Sequence, residues 1–116
     1  MFDAGRRQAV AKQAQAEFDE ASATYKSVVL AAFQQVEDDL AQCNRLATSA
    51  DAEAKAADAA ARAETIALRQ YRDGATTYLD VVTAQTASLD AKRLLIGLNG
   101  QRMQASVDLI RSLGGG

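Results

Sequence analysis

Few residues in this chain could do chemistry. Glu37, Asp38 and Asp39 form a run of three carboxylates, and neighbouring carboxylates are the usual material of general acid–base work. Asp80, the lone Cys43 and the tyrosines Tyr71 and Tyr78 complete the set. Neither a nucleophile nor a histidine accompanies the acidic run. It therefore reads as a solvated helix face, with a polar lining as the alternative. Cys43 falls on an apolar seam and reads as a small buried hydrophobe. With no His and one Cys, the chain cannot build a His/Cys zinc site, a Ser-His-Asp triad or an intrachain disulfide. The Glu-x-x-His pairs of a di-metal helical bundle are excluded for the same reason. No catalytic, cofactor-binding or metal-binding residue is expected, and the chain does not read as an enzyme.

The elements that would carry these residues are set by composition. Of 116 residues, 26 are Ala and none is Pro. Ala is the best helix former and Pro the strongest breaker, so an all-α chain is expected. Glycine supplies the punctuation. Neither Gly nor Pro occurs from Arg6 to Arg72, which predicts one long helix over 5–71, roughly 100 Å long. Arg72-Asp73-Gly74-Ala75-Thr76 is the expected turn. Gly74 takes the left-handed conformation that ends helices, with Arg69 and Arg72 in the last turn. Thr76 or Thr77 then caps a return helix over 77–113, with Asp80 in its first turns. Residues 114–116 form a glycine tail.

Apolar spacing refines this. Phe18, Ala21, Tyr25, Val28 and Ala32 follow a three–four alternation. So do Val29, Phe33, Val36, Leu40, Cys43, Ala47, Ala50, Ala54, Ala57 and Ala61. In the return helix Val82, Leu89, Ile96, Met103 and Ile110 are each seven apart. These are coiled-coil patterns, and they predict a long antiparallel helical hairpin with unequal arms. The first arm would overhang the second by roughly 45 Å, so it must fold back or be covered by another segment. Gly97 and Gly100 mark a bend or a close helix crossing. The charge balance, 13 basic against 15 acidic residues, argues against a nucleic-acid partner. No uncharged run reaches the ~20 residues of a membrane-spanning helix, and Met1 to Arg7 has no apolar stretch of the kind a signal peptide carries.

Four segments carry a resemblance. Phe2-Asp3-Ala4-Gly5-Arg6-Arg7 resembles the strand-to-helix junction of the TolC/OprM-type outer-membrane efflux proteins, which places the end of that junction at 1–4. Residues 29–40, VLAAFQQVEDDL, are similar to their AFxxVExxL stretch. Residues 71–85, YRDGATTYLDVVTAQ, are similar to their YxxGxxxxLDVLxAQ turn. Residues 106–116, SVDLIRSLGGG, look like the close of the domain in the NodT-like lipoprotein branch of the RND efflux channels. Together they span essentially the whole chain in the family's order.

The resemblance implies a fragment of a trimeric α-barrel, the last periplasmic hairpin of an outer-membrane channel. It implies that Arg72, Asp73, Gly74, Ala75 and Thr76 form a tip meeting a periplasmic adaptor protein. An inner-membrane RND pump would act indirectly, and small molecules would be exported. It also implies that Asp80 contributes to a carboxylate ring at the closed end, beside its plainer role as a first-turn charge on the helix dipole. Tyr71 and Tyr78 would pack the tip, Tyr78 as a staple between the helices. Some members carry Arg where Thr76 stands and a second Asp where Thr83 stands, so an ionic latch at Thr76 is excluded. The first repeat, the barrel strands and an acylated Cys are expected elsewhere in the protein. The resemblance places the hairpin on the periplasmic side of the outer membrane and implies self-association. The alternative is a freestanding structural coiled coil or adaptor-like spacer.

Overall fold

The computed structural model describes the backbone of residues 2–115 and the side chains of residues 3–115. Helix α1 is Phe2–Arg72 and helix α2 is Tyr78–Ser112. Outside them lie only the connection 73–77 and the residues 113–115, and no described residue is in a strand. Helix α1 is already formed at Phe2, with Asp3 as the acidic residue of its first turn, so the junction expected over 1–4 is helix from its second residue on. Met1, and Gly116 of the expected glycine tail, lie outside the described residues. Among the described residues no helix is long and apolar enough to cross a membrane.

The chain divides into two units, residues 1–37 and 38–116. The first unit is α1 alone. Its described side chains are exposed except Ser22, Val29 and Val36, which are half-buried. Val10, Phe18, Tyr25, Val28, Leu30 and Phe33 are all more than half exposed. Nothing in this unit covers the stripe from Phe18 to Ala32.

The second unit is a hairpin. On α1 its seam runs through Cys43, Leu46, Ala47, Ala50, Ala54, Ala57, Ala61 and Leu68, all buried or half-buried. The expected α1 seam is therefore right from Cys43 onward, while Leu40 is exposed. On α2 the seam is Val81, Ala84, Ser88, Ala91, Leu95, Leu98, Ala105, Leu109 and Ser112. This alternates by three and four, but it sits one residue before the expected stripe. Val82, Leu89, Ile96, Met103 and Ile110 are 39–73% exposed. Near the turn the small side chains are thus inside and larger ones outside, while Leu95, Leu98 and Leu109 are half-buried in the seam farther along α2. The cause lies in α1, whose seam over 47–61 is almost all Ala. A helix with a small face admits a partner at short interaxial distance, and Val81, Ala84, Ser88 and Ala91 fit that gap where Val82 and Leu89 would hold the axes apart. The buried residues are accordingly few: Ala50, Ala57, Val81, Ser88 and Ala105.

Gly97 and Gly100 do not interrupt the helix and mark no close crossing within the chain. Helix α2 passes through both without interruption, and a Cβ added at either would meet nothing within 4 Å.

Candidate functional site

The connection between the helices is built from backbone hydrogen bonds. The Gly74 N–H donates to the Tyr71 carbonyl at 3.0 Å, and the Ala75 N–H to the Gln70 carbonyl at 2.8 Å. This pair is a Schellman motif, which satisfies carbonyls that the end of α1 would leave open. It requires a left-handed residue, and Gly74 has φ +73. Arg69 and Arg72 lie in the last turn, where cations are favoured by the helix dipole. The same motif recurs at the end of α2, where Gly114 has φ +86 and donates to the Arg111 carbonyl at 3.0 Å.

Helix α2 starts on Thr77, whose backbone is extended at φ −86 and ψ 158. Thr77 and Asp80 stand as a capping box. The Thr77 hydroxyl donates to Asp80 Oδ2 at 2.9 Å and the Thr77 N–H to the same oxygen at 3.3 Å. The Thr76 hydroxyl also donates to Oδ2. Three donors thus converge on one carboxylate oxygen. The bonds from Thr76 and then Thr77 hold the Asp80 carboxyl below the ordinary aspartate range, because hydrogen bonds to the charged form favour it. Asp80 remains exposed. Thr83 donates to the Leu79 carbonyl at 2.9 Å.

The rings of Tyr71 and Tyr78 meet across the turn, 5.5 Å apart and tilted by 60°. That is the separation and inclination of a favourable aromatic pair. The turn therefore gathers Tyr71, Arg72, Asp73, Gly74, Ala75, Thr76, Tyr78 and Asp80 at one end of the hairpin. Leu79 beside them is 72% exposed, and the two rings are about half exposed. The surface offered there is small, partly apolar and flanked by the charges of Arg72 and Asp73. Among the described residues no His/Cys/Asp/Glu group could hold a metal ion.

At the other end of the seam a recess of about 190 Å³ lies between the helices, lined by Asp39, Gln42, Gln101, Gln104, Ala105 and Asp108. It fixes the register: Gln42 is level with Gln104 and Ala105. Since both helices advance ~1.5 Å per residue in opposite directions, Ser88 is level with Ala57, Ala60 and Ala61. Ser88 is 1% exposed, and its Oγ has no hydrogen-bond partner. Other helical hydroxyls here bond backward along their own helix: Thr48, Thr65, Thr83, Thr86 and Ser106 each reach the carbonyl four residues earlier. Ser88 does not. Sequence reasoning missed it because a lone Ser in a helix carries no signal until its partner face is known. It missed the Thr76–Asp80 bond as well, although Thr-Thr-x-x-Asp spacing allows both hydroxyls to reach one carboxylate.

The family model for outer membrane efflux proteins matches residues 1–115. The chain is similar to outer membrane protein OprJ of Pseudomonas aeruginosa, 34% identical over the whole chain and 24% of that protein. It is similar to the pyoverdine export outer membrane protein OpmQ of Pseudomonas putida, at 33% over the whole chain and 25% of that protein. The cation efflux system protein CusC of Escherichia coli matches at 28% with the same coverage. The chain thus spans about a quarter of the length of these relatives. No solved structure matches it.

Proposed function

Because this chain belongs to the outer membrane efflux protein family, we propose that it is one stave of the wall of an outer-membrane efflux channel. Its relatives are channel components of efflux systems. The stave stands on the periplasmic side of the outer membrane, as part of a trimer whose remaining parts lie in the rest of the protein. Its work is passive. It supplies wall and tip and catalyses no reaction.

The observation that carries this reading is the inverted packing of the hairpin. Small residues dominate the inner seam over 47–61 and 81–91, with leucines half-buried only toward its ends, while Val82, Leu89, Ile96, Met103 and Ile110 are exposed. A freestanding spacer would turn its largest apolar side chains inward, since burying each one fully is worth ~1.5–3 kcal/mol. A stave needs them outside, where the next stave covers them.

In this reading residues 72–76 meet the hairpins of a periplasmic adaptor, and the inner-membrane pump acts through that adaptor. The exposed small turn allows close approach, and the paired rings of Tyr71 and Tyr78 hold its base rigid. Asp80 contributes one carboxylate to a ring around the closed end. Its tight capping keeps it ionised and fixed in direction, and such a ring favours cations over anions. Thr76 holds Asp80 within its own chain, so the closed state rests on contacts other than an ionic latch. The relatives' names differ in cargo, with pyoverdine export for one and cation efflux for another. The wall is then indifferent to cargo, and selectivity belongs to the pump.

The test is a chimaera in which this chain replaces the matching hairpin of the Pseudomonas aeruginosa relative. Dye efflux should return to cells lacking their own channel, and a Gly74→Val version should fail. A chimaera that reaches the outer membrane as a folded trimer yet exports nothing would overturn the reading.

A further inference from the structure

The chain holds two asparagines, Asn44 and Asn99, and only Asn99 is followed by glycine. Asn-Gly is the dipeptide most prone to cyclise. The backbone nitrogen of the following residue attacks the side-chain amide carbon, and glycine has no side chain to obstruct that approach. Asn44 is followed by Arg45, whose side chain crowds the same path. Both asparagines are exposed within helices, so the chain carries its own control.

The surroundings of Asn99 favour the reaction. Gly100 is exposed, and a Cβ built on it would meet nothing within 4 Å. Asn99 shares a shallow surface hollow with Arg102, Met103 and Ser106. Residues three apart are neighbours on a helix, so the Arg102 guanidinium favours the negative charge that develops on the attacked amide. The helix opposes the reaction. Its regular bonding ties the Gly100 N–H to the carbonyl four residues back, and helical dihedrals at Asn99 hold the two reacting groups apart. Cyclisation therefore waits for a local opening of α2, and such openings occur without global unfolding. Gly97 and Gly100 concentrate them here, because each glycine weakens the helix relative to Ala enough to raise the open fraction about two- to five-fold.

We infer that Asn99-Gly100 is a site of spontaneous modification, at which local opening of α2 converts an amide to a carboxylate. The Gly100 nitrogen bonds to Cγ of Asn99, ammonia leaves, and a five-membered succinimide forms. Solvent water then opens the ring at one of its two carbonyls, giving aspartate or isoaspartate at position 99. Water is the sole co-reactant, and nothing is oxidised or reduced. The aspartate product pairs with Arg102 at i,i+3 and leaves the helix intact. The isoaspartate product adds a methylene to the backbone, so the helical ladder does not re-form through it. Either way the chain gains a negative charge on a net charge of −2. The change is one-way, and α2 accumulates it in proportion to the time spent open. This inference concerns the chain itself and does not rest on the wall reading.

The test is incubation of the full chain in mildly alkaline, amine-free buffer, followed by trypsin digestion and mass spectrometry of peptides 94–102 and 27–45, which carry Asn99 and Asn44. Peptide 94–102 should convert from amide to acid at least tenfold faster than peptide 27–45, with separate aspartate and isoaspartate forms. Gly100→Ala should slow conversion at least tenfold. Gly97→Ala leaves the reacting bond untouched and should slow it about two- to five-fold through the opening alone. Both substitutions favour helix, so neither threatens folding. Equal rates at the two asparagines would overturn the proposal. So would aspartate without isoaspartate, which marks direct hydrolysis, or a Gly97→Ala rate equal to the parent's, which would remove local opening as the gate.

Discussion

Replacing Ser88 with Ala should stabilise the hairpin. Ser88 is 1% exposed and its Oγ has no partner. A buried hydroxyl without a hydrogen bond loses its hydration and gains nothing in return, at ~1–3 kcal/mol. The substitution removes that cost and adds a few tenths of a kcal/mol in helix propensity. Against this stands the lost packing of one oxygen, a handful of contacts at ~0.1–0.2 kcal/mol each. The net is a gain of about 1–2 kcal/mol, or roughly 5–15 °C in Tm for a unit of this size. Thermal and urea unfolding followed by far-ultraviolet circular dichroism read it directly, at one fixed low micromolar concentration so that association does not enter. Ser88→Val should act oppositely, losing ~1–3 kcal/mol, because the alanines at 57, 60 and 61 leave no room for added methyl groups. A Ser88→Ala variant less stable than the parent would refute the reasoning, since only a hydroxyl with a bonded partner gives that sign.

The turn supports three further expectations. Gly74→Ala should cost about 1–2 kcal/mol, from the left-handed backbone alone, since its Cβ would meet nothing within 4 Å; Gly74→Asn should cost less by the same urea unfolding. The lowered Asp80 pKa means that the unfolded chain takes up the proton first. Its stabilisation is present above the ordinary aspartate value and is lost as pH falls through the lowered folded value; amide exchange at the start of α2 should show this acid loosening, and Asp80→Asn should remove its pH dependence. Gly97→Ala and Gly100→Ala should each add ~0.5–1 kcal/mol to the dilute hairpin, measured by the same unfolding, and a loss at either site would show an intrachain role for the glycine.

Much of the fold is legible in the residues themselves. The absence of Pro and the excess of Ala predict helix, Gly74 predicts the break, and the pair Thr76 and Thr77 predicts the second start without choosing between them. Each works because a local backbone rule decides it. The seam of α1 from Cys43 to Ala61 is legible too, since small residues at heptad spacing leave few other faces to bury. The face of α2 was not. Periodicity finds a stripe but not the surface that covers it, and α2 carries two stripes one residue apart. Hydrophobicity favours Val82, Leu89 and Ile96, whereas fit to an alanine face favours Val81, Ser88 and Leu95. A single sequence does not rank these, because the deciding term is the interaxial distance set by α1. At the turn, Gly74 and Asp80 were readable by type. The convergence of Thr76 and Thr77 on one oxygen was not, since either threonine alone satisfies the capping rule.

That inversion also explains why so alanine-rich a chain can be selected at all. An Ala seam buries little area per residue, so within residues 38–116 the fully buried apolar side chains are Ala50, Ala57, Val81 and Ala105, with Leu46, Leu68, Leu95, Leu98 and Leu109 half-buried beside them. Fixing each residue's backbone costs ~1–2 kcal/mol, and so few buried side chains do not offset that over a hairpin. Helix propensity alone does not close the gap either, because helical stability in proteins comes chiefly from tertiary packing of an apolar face. Much apolar surface stays exposed, on Ile66, Leu79, Leu89, Leu94, Ile96 and Met103 among others, and it stabilises the hairpin only when something lies on it. In the wall reading proposed above, folding of the hairpin is therefore coupled to its packing against neighbouring staves. In that reading the seam sets the spacing of two helices, and the outer faces supply the free energy that the seam withholds.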